Sequence, residues 1–262
     1  MKNQIRIAVI SALLITTSIQ PIAAFADGAF SLTSGADYST GKYGQSQSTD
    51  ITYIPFIAKY ETDNNIIKLT IPWLQITGPG DVIGSDAIVI RDDTNRKRTT
   101  ESGLGDIVLS ATHTIANFGE TRPLTLDLTG KIKFATASKT KRLGTGEDDY
   151  ILELDAYKPI SDPATLFGGL GYKRIGDPDG INLNNVWFGS LGVSYRINPL
   201  NNVGIMADYR QSTLNTSEPL REVTAFFTHK FNAQYKLQSY ITHGYSSASV
   251  AWGGGLMLGY TF

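Results

Sequence analysis

Read backwards from Phe262 in steps of two, the last thirteen residues fall into two rows. Phe262, Tyr260, Leu258, Leu256, Gly254, Trp252 and Val250 are apolar or aromatic apart from one glycine, while Thr261, Gly259, Met257, Gly255, Gly253 and Ala251 are small or mildly polar. A period of two marks a strand. Here the greasy row faces out and the small row faces in. The same alternation recurs upstream. On one strand Leu124, Leu126, Leu128, Gly130, Ile132 and Phe134 oppose Thr125, Asp127, Thr129, Lys131 and Lys133. On the next, Tyr150, Leu152, Leu154 and Ala156 oppose Glu153, Asp155 and Tyr157.

Twelve strands are predicted, at 29–40, 51–61, 66–75, 106–116, 124–134, 150–158, 165–173, 186–197, 203–212, 222–231, 235–245 and 250–262. Most approach the roughly 9–11 residues that cross a membrane, whereas soluble strands are usually shorter. Connections after the even strands are short and turn-like. Those after the odd strands are mostly longer and polar, the longest spanning 76–105. Short turns on one side and long loops on the other are the pattern of an outer-membrane barrel, and twelve is even, as closure requires.

The outward aromatics give the direction. Threaded up and down, Tyr38, Trp73, Tyr150, Tyr172, Trp187, Tyr209, Tyr245 and Trp252 fall at the long-loop end. Phe30, Tyr60, Tyr195, Phe231, Tyr235, Tyr260 and Phe262 fall at the short-turn end. Two girdles of amphipathic rings mark the two lipid–water boundaries. The expected fold is therefore all-β: a transmembrane, antiparallel up-and-down barrel of twelve strands, with short periplasmic turns and longer extracellular loops.

Composition adds the compartment. Lys2 and Arg6, the apolar run 7–19 and Ala24-Phe25-Ala26 read as a secretory signal peptide over 1–26, leaving a single barrel domain over 27–262. No later stretch approaches the roughly 18 apolar residues of a spanning helix. There is no cysteine, hence no thiolate metal site. Formal net charge is -1 for the whole chain, and the signal removes two basic residues and no acid. That balance gives no basic bias towards nucleic acid. The expected location is the bacterial outer membrane. The expected partners are its lipid bilayer and its assembly machinery, which would read Tyr260 and Phe262 as a terminal signal.

Inward parity selects the candidate pore-lining residues: Lys59, Asp106, Asp127, Lys131, Lys133, Glu153, Asp155, Lys173, Arg196, Asp208, Arg210 and Lys230. Lys68, Glu222 and Lys236 share that parity. Lys131 and Lys133 would neighbour Glu153 and Asp155. Two readings stand: a charged wall that sorts solutes, or a ladder of cross-strand ion pairs filling a narrow barrel. Water in a lumen of this width favours lysines free enough to act on passing ions. The 76–105 loop likewise either folds inward as a constriction or extends its flanking strands as a hairpin.

No catalytic constellation emerges. His113, His229 and His243 stand apart on the outward parity, without metal-ligand spacing. The His-x-Ser spacing of outer-membrane lipid hydrolases is absent. No enzyme activity, cofactor or metal is expected.

Ser102-Gly103-Leu104-Gly105-Asp106 reads either as a glycine-permitted turn or as a fixed corner with Asp106 facing inward. This segment is one of several that occur together. Gly168-Gly169-Leu170-Gly171-Tyr172 is followed by Gly176-Asp177-Pro178-Asp179-Gly180. Then come Gly192-Val193-Ser194-Tyr195-Arg196 and the ending A-W-G-G-G-L-M-L-G-Y-T-F. In this order they resemble the outer-membrane transporter family labelled MetA-pathway of phenol degradation. The resemblance implies a barrel for passive uptake of small solutes, often aromatic or hydrophobic, and carries no set of binding residues. The rival expectation is a structural or surface-interaction barrel with an occluded lumen. The loop-length pattern makes one prediction. An epitope tag after Arg96 should be reached by antibody on intact cells, and a tag between Asp63 and Asn65 only after the outer membrane is disrupted.

Overall fold

The computed structural model describes residues 28–80, 82–84, 97–178 and 180–262 in full, and the backbone alone of 6–8, 14–16 and 88–89. The expected signal peptide lies outside the fully described residues. Thirteen strands form one sheet. They are β1 (Ala29–Gly41), β2 (Thr49–Glu61), β3 (Asn65–Gly78), β4 (Thr99–Leu104) and β5 (Ile107–Phe118). Next come β6 (Leu124–Phe134), β7 (Asp149–Pro159), β8 (Ala164–Arg174) and β9 (Val186–Asn198). Last are β10 (Asn201–Arg210), β11 (Leu220–Lys230), β12 (Tyr235–Gly244) and β13 (Trp252–Thr261). Each neighbour is antiparallel, and β13 returns to β1 from Trp252↔Thr40 to Thr261↔Ser31, which closes the sheet.

Thirteen strands make twelve staves. β4 and β5 both pair with β3, at Trp73↔Leu104 and Thr70↔Val108, so they are two lengths of one stave broken at Gly105-Asp106. The break faces Pro72, whose ring removes a ladder donor. The Gly105 N–H donates to the Pro72 carbonyl at 2.8 Å. A Cβ on Gly105 would stand 2.7 Å from Leu74 Cδ1, so a side chain at this corner would have to displace the buried Leu74. The expected fourth strand began at 106, whereas the observed stave also includes 99–104 above the break. Part of the long loop thus extends the wall, as the hairpin reading had it.

The outer surface is an apolar band. Leu152, Leu170, Leu191, Ile205, Ile241 and Leu256 are all exposed, Leu191 at 61%. A continuous patch of this kind is not left in water; it is the lipid-facing wall of a membrane barrel. Aromatic pairs rim it. Tyr172 and Trp187 lie 5.1 Å apart at the long-loop end, and Tyr235 and Tyr260 4.9 Å apart at the short-turn end. Outward histidines pair locally at the short-turn rim, His113 with Asn65 at 2.8 Å and His229 with Asn201 at 2.7 Å. The turns there are closed by side chains that mimic backbone. Asn198 Oδ1 accepts from the Leu200 and Asn201 amides, and Asn232 Oδ1 from Gln234 and Tyr235.

The buried side is the inside. At the long-loop end three loops fold in over the wall. Tyr43, Val82 and Leu143 pack with Ile51, Leu74, Ile76 and Ala137. A second cluster joins Ile175, Leu183 and Val186 with Leu214. Val82 therefore lies inward, as the constriction reading had it, while the apolar run 87–90 has no described side chains.

The loops are also clasped to one another. Glu218 accepts hydrogen bonds from the Ser247 amide and hydroxyl, each at 2.9 Å. The amide bond, then the hydroxyl, holds the Glu218 carboxyl below its ordinary 4.5. A lowered folded value means that the clasp is complete above the ordinary value and is lost as pH falls through the lowered one. The Ser247 amide resonance should titrate with a midpoint below 4.5. That titration should vanish in Glu218→Ala.

Candidate functional site

The barrel encloses a central cavity of about 350 Å³. Its wall is chemically divided. β2 contributes Ile51, Tyr53, Pro55 and Ile57. β1, β10, β11 and β12 contribute Asp37, Asp208, Arg210, Glu222 and Tyr240. β6 to β8 contribute Lys131, Lys133, Glu153 and Lys173.

Space for this cavity comes from a repeated cross-strand pairing of glycine with a large residue. Phe188 stands opposite Gly171, Phe167 opposite Gly192, Phe226 opposite Gly204 and Tyr240 opposite Gly255. In each case a Cβ on the glycine would meet the ring at 2.7 Å or less. The ring therefore lies against the wall over its glycine instead of projecting into the lumen. Asp155 lies over Gly169 in the same way, with Oδ1 2.4 Å from where a Cβ would be. Gly169 and Gly171 of the G-G-L-G-Y segment and Gly192 of G-V-S-Y-R are thus the seats of lumen side chains.

All twelve candidate residues lie on inward positions. Lys131, Lys133, Glu153, Lys173, Asp208 and Arg210 line the cavity. Asp106, Asp127 and Asp155 are buried in the wall. Lys59, Arg196 and Lys230 stand towards the short turns, with Arg196 exposed there and donating to the Asp162 carbonyl at 2.7 Å. Asp127 accepts from Thr114 Oγ1 at 2.7 Å and lies directly opposite Asp155.

The lysines of β6 are paired. Lys131 forms an ion pair with Glu153, as its neighbourhood predicted. Lys133 does not reach Asp155. Register places it opposite Asp149, and its Nζ lies 2.7 Å from Asp149 Oδ2 and 3.5 Å from Asp106 Oδ2. Lys173 Nζ joins the same Asp149 oxygen at 3.0 Å. The expectation of free lysines gives way to the ladder of ion pairs. This network also ties down loops. Asp106 Oδ1 accepts from the Ala137 amide at 2.9 Å, and Asp149 Oδ1 from the Gly176 amide at 3.1 Å.

Two participants escaped the sequence reading. Asp149 sits one residue before the expected start of its strand, though its parity matches Glu153 and Asp155. Tyr240 donates to Asp37 Oδ2 at 2.6 Å, from β12 to β1, across β13. Gly255 lies between them and is opposite both in register. Only a residue without a side chain lets the phenol cross. Among the described residues no group of three His, Cys, Asp or Glu could hold a metal.

No family model matches the chain, so the resemblance to the phenol-degradation transporters rests on the motifs alone. No curated protein matches it either. Solved structures do. The COG4313 outer membrane channel from Pseudomonas putida F1 is similar with a TM-score of 0.69 at 14% identity, over 94% of this chain and 100% of that one. The NanC porin gives 0.54 at 11% identity, over 88% and 98%, and the KdgM porin 0.50 at 9% identity, over 88% and 99%. The fold is that of outer-membrane channels.

The pairing of Lys133 sets a prediction. Lys133→Glu would bring three carboxylates together in a buried site. Removing one partner of a buried charge pair costs about 3–5 kcal/mol, and a reversed charge adds repulsion to that loss. The heat-modifiable gel shift of the folded barrel should move to lower temperature. Lys133→Met, which also leaves Asp149 with Lys173, should be affected less.

Proposed function

We propose that the chain is an outer-membrane channel for passive uptake of small solutes. The observation that carries this reading is a closed, lipid-faced barrel around a cavity lined by charged, aromatic and aliphatic side chains. Solute binding sites combine such an apolar wall with a few placed polar groups. Selectivity in a pore comes from the charges that line it. The apolar strip of Ile51, Tyr53, Pro55 and Ile57 on β2, together with Tyr240 and Phe188 in the same cavity lining, suits solutes with an aromatic or hydrophobic body. This agrees with what the motif resemblance implies. The similarity to the Pseudomonas putida channel supports the reading through the fold. A leader cleaved after Ala26 would deliver the barrel to the outer membrane. The outward Tyr260 and Phe262, with rings 4.8 Å apart, offer the assembly machinery an aromatic edge.

One observation favours a second reading, a surface or structural barrel with an occluded lumen. Tyr43, Val82 and Leu143 close over the wall at the long-loop end, each 2% exposed or less. Burial pushes the Tyr43 phenol up to about 12, so the residue stays neutral in this packing. Liposome swelling separates the two readings. Reconstituted barrel should admit small neutral and aromatic solutes at rates well above protein-free vesicles. A Val82→Asp change, which opens the apolar packing, should raise those rates. Rates equal to empty vesicles for both proteins would establish the occluded barrel.

A further inference from the structure

Cross-strand register creates an unusual arrangement of charge in the short-turn half of the lumen. Lys59 on β2 stands directly opposite Lys68 on β3. Lys230 on β11 stands directly opposite Lys236 on β12. All four are on inward positions and half-buried. Like charges directly opposite one another destabilise a sheet. Ammonium groups drawn out of water also need a counter-charge.

The two pairs belong to one arc. Lys236 is within electrostatic reach of both Lys230 and Lys59, across β13 and β1. Arg196 on β9 extends the arc beyond Lys230. Carboxylates do not balance it. Glu61 is taken by Lys59 at 2.5 Å. Glu153, on the wall beyond, is taken by Lys131. Asp155 acts on Lys68 only at a distance. Among the described residues Lys68, Lys230 and Lys236 make no ion pair. The fold therefore holds unmatched positive charge together on the inner wall.

We propose that this arc is an anion-binding ring whose ligands are small organic carboxylates. A carboxylate has two oxygens and can lie between opposed ammonium groups, accepting a charge-assisted hydrogen bond from each. An apolar surface stands next to the ring. Two inward steps above Lys230 on β11 lies Phe226, its ring 6.3 Å from that of Phe167. The head of an aromatic or aliphatic carboxylate sits on the lysines and its body faces these rings. The consequence for transport rests on the channel reading; the binding does not.

The test uses benzoate, benzyl alcohol and benzylammonium, which share a ring and differ in charge. In detergent at low salt, benzoate should raise the thermal unfolding midpoint of the native barrel. Benzyl alcohol and benzylammonium should not. Lys68→Met with Lys236→Met should weaken the benzoate response about tenfold in concentration, or about threefold per lysine. Without benzoate this variant should unfold no lower than the native protein, because each change removes a like-charge contact. In proteoliposomes benzoate influx should exceed benzylammonium influx, and the double variant should lose that preference while passing benzyl alcohol as before. A native response to benzoate no greater than to benzyl alcohol would overturn the ring. So would a double variant that responds like the native protein. Benzoate stabilisation that depends on the lysines, in a barrel that passes no solute, would support the ring and overturn the channel reading.

Discussion

Closure of the hydrogen-bond ladder between β13 and β1 is the constraint on which everything else depends. In hydrocarbon an unpaired backbone amide has no water to turn to. A sheet there must have no edge. Trp252 through Thr261 meet Ser31 through Thr40 residue by residue, and the ring is complete. Once the backbone is satisfied in this way, the side chains are free to obey two solvents. Leucines and the girdle aromatics go to the lipid, while charges, hydroxyls and the rings seated on glycine go to the lumen. The period-two sequence follows from these two environments on the two faces of one sheet.

Inside the ring, size and charge are managed by different devices. Size is managed by glycine. An inward Phe or Tyr opposite a glycine lies along the wall, so that a lumen with many aromatic residues still holds a cavity. Charge is managed by position. Around Asp149 two lysines converge on one carboxylate, and the same aspartate and Asp106 hold the amides of Gly176 and Ala137 near the start of two loops. In the short-turn half the lysines outnumber their partners. One half of the wall therefore uses its charges to build, and the other leaves Lys68, Lys230 and Lys236 without an ion pair among the described residues.

The fold was legible because a barrel in lipid repeats one rule in every strand. Strand parity, the alternation of loop length and the two aromatic girdles agree from Phe30 to Phe262, and each survives an error of two residues in a boundary. The lumen was less legible because its chemistry depends on which residue of one strand faces which of the next. Parity alone placed Lys131 and Lys133 inside. The register of β6 against β7, with Lys133 opposite Asp149, decided that Lys133 meets Asp149 and not Asp155. The long loop was undecidable from sequence for a different reason. Residues 99–104 extend a strand while Val82 turns inward, and no single period describes a segment that does both.

The crossing of Tyr240 over Gly255 to Asp37 bears on how the barrel is put together. The contact joins the first stave to the twelfth-numbered strand over the back of the last, so it forms only when all three are side by side. It also forms in one alignment. A slip of β13 by a single residue would turn its leucines inward and place Leu256 or Gly254 where Gly255 belongs. Neither arrangement keeps both the lipid face and the phenol–carboxylate bond. The seam of the barrel thus carries its own proofreading: the last join can be made loosely in several ways, but only the native one is locked from within.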